Sequence, residues 1–294
     1  MTPRIPQRGT SPIRTGPGSP PPEGWGYINH TKHFIMKNKS ILFFLLSILT
    51  AQTLPAADPF NYSVQVKNFK PSIYGEKSSR FRVESSDLEF TLIGTPYQST
   101  IRERIGNQKK TIDIETGLIK KVATTPEELS GYLKNTLLLN LSSPEITGAA
   151  AQLNKADYPV RTVEDFVYRH IADKTLGLPI VPAAQVFRMK RGDCTEHSVL
   201  AVALLRKLGV PARAVVGMYL SEEFLGKRNV FVYHMWAEAY WKGRWRLVDA
   251  TRPGEVKLNR YIAFAYHNLK AEAPLPYLRA VSAIQDMTVE YIGR

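Results

Sequence analysis

The sequence predicts an α+β fold, with one principal helix packed on an antiparallel sheet and a small β-rich segment ahead of it. Three observations predict it. Residues 194–208 read as a helix, with Leu200, Ala201, Leu204, Leu205 and Leu208 apolar at helical spacing. Strand-like runs follow at 212–220, 230–241 and 244–250, the last two joined by Lys242-Gly243, which suits a two-residue hairpin loop. Upstream, residues 60–124 hold short runs separated by turn residues: Phe81-Arg82-Val83-Glu84, Phe90-Thr91-Leu92-Ile93 and the alternating Thr111-Ile112-Asp113-Ile114-Glu115 before Thr116-Gly117.

In chain order, residues 1–35 are rich in Pro, Gly and Arg, lack hydrophobic periodicity, and are expected to be disordered or to precede the true start. Residues 36–57 read as a secretory signal. Lys37 and Lys39 supply a positive region, Ile41 to Leu49 an apolar core, and small residues end at Ala56-Ala57. The expected mature chain begins near Asp58 and is periplasmic or secreted. The alternative is a cytoplasmic tail before a membrane anchor at 41–54. Residues 58–124 form the β-rich segment, expected as a small antiparallel sheet or sandwich, and 125–294 the main domain with a C-terminal extension. Helices begin at Thr125-Pro126-Glu127-Glu128, a cap, a Pro at the first helical position and acids in the first turn. Ser143-Pro144-Glu145 repeats the pattern, and Thr162-Val163-Glu164-Asp165 is expected to open a third helix. Asp193 caps the next, with Glu196 completing a capping box, and Gly209-Val210-Pro211 stops it.

The formal charge of +13 is unevenly placed: beyond residue 57 there are 33 basic against 25 acidic residues. That suits a basic protein or polyanionic surroundings such as a cell envelope. Zinc-finger spacing, an aromatic RNA-binding strand and a basic helix are all lacking, so no nucleic-acid partner is expected.

The chain has one cysteine, Cys194. In an oxidising compartment structural cysteines come in pairs. A lone one is either an inert buried thiol or a reactive one. Cys194 sits where the helix begins, and there a partial positive charge and unpaired N–H groups favour a thiolate and can face an oxyanion. Downstream lie His234, in Tyr233-His234-Met235-Trp236-Ala237-Glu238, and Asp249, in Trp245-Arg246-Leu247-Val248-Asp249-Ala250-Thr251. A thiol, a proton acceptor and an orienting carboxylate are what nucleophilic catalysis needs. If Lys242-Gly243 is a tight hairpin, Trp236 lies opposite Asp249, and His234 and Asp249 become diagonal neighbours on one face, within side-chain reach.

Gly192-Asp193-Cys194, the helix ending Leu208-Gly209-Val210-Pro211-Ala212-Arg213, then Val215-Val216-Gly217, His234-x-Trp236-x-Glu238 and Trp245…Asp249-Ala250-Thr251 resemble the core of the transglutaminase-like superfamily. The resemblance covers roughly residues 125–255. It implies a papain-like core and a triad of Cys194 as nucleophile, His234 as base and Asp249 as orienting acid. It implies thioester chemistry on an amide or related carbonyl, in a family that holds peptidases, amidases, crosslinking acyltransferases and inactive members. The expected activity is an exported peptidase or amidase acting on a peptide or protein amide. The alternatives are a crosslinking acyltransferase and a non-catalytic envelope scaffold. No acidic calcium loop is recognisable, and the six His and one Cys lack metal-ligand spacing, so no metal or cofactor is expected. His197, one turn after Cys194, could tune its thiolate but reads first as structural or solvent-facing. Trp236 and Glu238 share the catalytic face, where packing explains the first and an ion pair the second at least as well as substrate contact does, and Arg213 reads as a structural pairing residue. The resemblance would also allow Tyr158 as an aromatic oxyanion donor.

Overall fold

The structure is a computed structural model, and it describes residues 63–154, 156–176, 180–254, 256–267, 269–270 and 282–294. The expected tail, signal and mature start, within residues 1–58, lie outside these residues. Strands β1 (Ser63–Lys67), β2 (Ser79–Ser85), β3 (Gln98–Gly106) and β4 (Lys109–Thr116) precede five helices. These are α1 (Pro126–Gly131), α2 (Pro144–Leu153), α3 (Pro159–His170), α4 (Ala183–Met189) and α5 (Cys194–Lys207). Strands β5 (Ala212–Phe224), β6 (Lys227–Trp241), β7 (Arg244–Val248), β8 (Tyr261–His267) and β9 (Thr288–Gly293) complete the chain.

The strands make one nine-stranded sheet in the order β3-β4-β2-β9-β1-β6-β5-β8, with β7 paired to β6. The β-rich segment is therefore not a separate sheet. It is joined to the main domain by β1, antiparallel to β6, and by β9, parallel to β1 and antiparallel to β2. Ala57–Arg294 form one compact unit.

Local chemistry explains the helix starts. Thr125 makes a reciprocal capping box with Glu128, Ser143 accepts from the Ile146 N–H, and Pro144 occupies a first-turn position that needs no N–H. The third helix begins three residues before Thr162, because Pro159 supplies the preset first turn. Phe90 to Ile93, expected as a strand, is loop. Its apolar content is used in packing: Phe90 stacks edge-on against Phe264 of β8 at 5.6 Å. Helix α5 is buried nearly throughout, from Thr195 to Arg206, packs on β6 and is flanked by α2, α3 and α4. That burial, more than its capping, fixes where its first residue points.

Candidate active site

Asp193 is the N-cap of α5. Its carboxylate accepts from the Thr195 N–H at 2.8 Å, and Glu196 reaches back to the Asp193 N–H at 2.9 Å. Gly192 is held at φ +153°, and a Cβ there would meet the Glu196 side chain at 2.4 Å. Only glycine lets the chain enter the helix this tightly. Cys194, the first helical residue, is half-buried, and its sulfur accepts a hydrogen bond from the Met235 N–H of β6, beside His234 in the chain.

The hairpin that carries the other two residues forms in the expected register. Trp241 pairs with Arg244, Tyr240 with Trp245 and Glu238 with Leu247. Lys242 and Gly243 both take left-handed backbone, φ 51° and 76°, the conformation a two-residue turn between right-twisted strands requires. His234 and Asp249 meet as diagonal neighbours: His234 Nε2 lies 2.7 Å from Asp249 Oδ2, both residues buried. Asp249 is further held by the Tyr261 O–H at 2.8 Å, and by the Thr251 N–H and O–H at 3.0 and 2.6 Å. Burial alone would raise its pKa. His234, Thr251 and Tyr261 outweigh that and hold the carboxyl well below the usual carboxylate range. The imidazole is walled by Trp236, Tyr219 and Tyr261, with ring centroids 6.0, 5.8 and 6.2 Å away.

Cys194 departs from expectation. Burial pushes its thiol up, Asp193, Asp249 and Glu196 add to the push, and the Met235 N–H opposes it.

The second shell of contacts was only partly visible in the sequence. Glu238 is fully buried against Arg213, Nε to Oε2 2.9 Å, and accepts from the Tyr97 O–H at 2.6 Å. The Trp236 indole N–H donates to the same Tyr97 oxygen at 2.7 Å. Arg213 lies over the rings of Tyr266 and Trp245 at 3.6 and 4.0 Å. Arg213 and Glu238 each find an ion-pair partner in the other, a pairing the sequence did not name, and Trp236 is a packing residue. Tyr97 and Tyr261 carry no motif and went unread. Glu164 of α3 accepts from the Asp249 N–H at 3.0 Å, and burial lifts its carboxyl to about 7 against the pull of Arg161. His197 is buried, which excludes the solvent-facing reading. Tyr158 is 63 % exposed at the N-cap of α3, its ring beneath the Lys242 ammonium.

Residues 144–250 match the transglutaminase-like superfamily. Among solved structures, a candidate cysteine protease from Cytophaga hutchinsonii is 16% identical, over 79% of this chain and 83% of that one, with TM-score 0.46. The periplasmic domain of TgpA from Pseudomonas aeruginosa, bound to ethylmercury, is 19% identical over 60% and 73%, with TM-score 0.45. A red sea bream transglutaminase is 11% identical over 65% and 48%, with TM-score 0.31. No match was found among curated proteins.

Proposed function

We propose that this chain, which carries a transglutaminase-like core over residues 144–250, is an exported cysteine hydrolase that cleaves amide bonds in peptide or protein substrates. The observation that supports this best is the buried His234–Asp249 pair, with the Cys194 sulfur held by the N–H of Met235, the residue after His234. His234 Nδ1 takes the Cys194 proton, and Asp249 fixes the tautomer and stabilises the imidazolium. The thiolate adds to the amide carbon, and the carbonyl electrons move to oxygen. Near the helix start the Cys194 N–H supports that oxyanion. Collapse breaks the C–N bond, His234 protonates the departing amine, and a thioester remains. Water, deprotonated by His234, then adds to the thioester carbon and releases the acid and the thiol. Water needs no second binding site, whereas an amine acceptor would; this favours hydrolysis over crosslinking. Export rests on the signal-like residues 36–57.

Intact-mass analysis with a peptide library tests the reading. The expected result is a transient acyl adduct on Cys194 that resolves to a free acid. Products that instead gain an added amine make the chain an acyltransferase. A thiol with ordinary reactivity and no adduct makes it a binding scaffold.

A further inference from the structure

The side chain of His197 is spent on the one peptide group that the mechanism needs aimed. Its Nδ1 lies 2.6 Å from the Asp193 carbonyl oxygen, which also accepts the His197 backbone N–H at 3.1 Å. Its Nε2 lies 2.7 Å from the Lys174 Nζ. The same ammonium reaches the Ile171 and Tyr168 carbonyls at 2.5 and 3.2 Å, at the C-terminal end of α3, and sits 4.6 Å over the Tyr168 ring. The Asp193 carbonyl can only accept, so His197 Nδ1 donates to it, and in the neutral ring Nε2 then accepts from the Lys174 ammonium. The imidazole proton is therefore on Nδ1, donating to Asp193. Burial and the neighbouring Lys174 charge keep the ring neutral, down to about 4.

The Asp193 carbonyl and the Cys194 N–H are two ends of one planar trans peptide and point in opposite directions. Two donors fixing the oxygen into the helix therefore fix the N–H outward, towards the space where an oxyanion forms. Donation to the carbonyl also polarises the amide and strengthens its N–H as a donor.

We propose that His197 and Lys174 are positioning residues that set the Cys194 backbone N–H as an oxyanion donor. The inference rests on Cys194 acting as nucleophile, as proposed above. It separates two reactions of the same sulfur: acylation builds an oxyanion, and alkylation by iodoacetamide does not.

The test measures single-turnover release of p-nitrophenolate from p-nitrophenyl acetate beside iodoacetamide alkylation, in wild type, His197→Ala, His197→Asn and Lys174→Met. His197→Ala should acylate about 10- to 100-fold more slowly, part of what loss of an oxyanion donor costs, with alkylation within about twofold of wild type. Asn places an amide N–H near the Nδ1 position and should recover most of the loss. Lys174→Met, at an exposed residue, frees the tautomer and should slow acylation severalfold, about 3-fold or more. Equal loss of both reactions, wild-type acylation in His197→Ala, or no recovery with Asn overturns the proposal. If His197→Ala does not fold, the Lys174→Met ratio of the two rates decides. A wild type that alkylates but releases no burst of p-nitrophenolate defeats the nucleophile reading itself, and this inference with it. A burst in wild type matched by every variant defeats this inference alone.

Discussion

At Cys194 the helix start and burial pull in opposite directions, and burial prevails. The partial charge at a helix N-terminus is worth about 0.3–1 kcal/mol. Desolvation and three neighbouring carboxylates outweigh it and push the thiol upwards. From the sequence, the capping box and the position of the cysteine were legible, but the surroundings supplied by β6 and Asp249 were not. The consequence is testable. His234→Ala removes the proton acceptor and leaves the burial and the carboxylates. Alkylation by iodoacetamide at pH 7 should fall at least about tenfold, and its pH profile should move upwards. An unchanged profile would mean that Cys194 ionises without His234. Tyr261 makes the complementary case. It donates to the same Asp249 oxygen that His234 uses, from a strand with no motif to mark it. Tyr261→Phe keeps the packing and removes the O–H. Acylation by p-nitrophenyl acetate should slow by about 3- to 10-fold, the scale of one hydrogen bond to a charged group, with the melting temperature little changed. Wild-type rates would show that Asp249 needs only Thr251 and His234.

At the scale of elements, what is local was readable and what is assembled was not. Lys242-Gly243 alone set the register that joins His234 to Asp249, because a two-residue loop leaves one pairing. Helix α4 and strands β1, β3, β8 and β9 were not singled out: β1, β8 and β9 pair with strands far away in the chain, and β3, whose partner β4 is its neighbour, is exposed along most of its length and lacks alternation. Gly217 shows how an unremarkable residue becomes fixed by such partners. It pairs with His234 on β6, beside a register shift against β8. A Cβ there would lie 2.0 Å from the Ile262 carbonyl oxygen and 2.8 Å from the Trp236 ring. Gly217→Ala should therefore destabilise the fold by about 2 kcal/mol or more, with slower acylation because Trp236 backs the imidazole. A variant that melts and acylates like wild type would refute the close approach. Glu164 gives α3 a pH signature. Its carboxyl is raised from 4.5 to about 7 in the fold, so the folded state binds an extra proton between those values. That stabilisation is fully present below about 4.5 and is lost as pH rises through 7. Glu164→Gln, which mimics the protonated form, should gain stability relative to wild type as pH rises from 5 to 8. Denaturant melts at both pH values measure this, and a constant difference would place the carboxylate outside the buried site.

At the scale of the whole molecule, residues of the β-rich segment reach the site. The β-rich segment reads in sequence as a separate unit because its runs are short and end in turns. Its dependence on β9 is a pairing across more than 200 residues, Val83 with Val289 and Val66 with Val289, and no local signal carries it. β9 is the strand between β1 and β2 in the sheet order. Tyr97, just before β3 on the far side of β9, holds the O–H that joins Glu238 to Trp236 behind His234. Two lesions should therefore behave differently. Val289→Pro removes a ladder donor in a strand paired on both sides. It should cost about 3 kcal/mol or more and lower the melting temperature of the molecule as one transition, because the sheet is continuous. Tyr97→Phe leaves the ladders intact and removes two hydrogen bonds from the Trp236–Glu238 cluster. It should leave a single transition a few degrees lower while slowing acylation by about 3- to 10-fold. If Val289→Pro instead splits the melt into two transitions, with the later one matching wild type and acylation retained, then residues 63–116 are an independent unit and Tyr97 does not support the site.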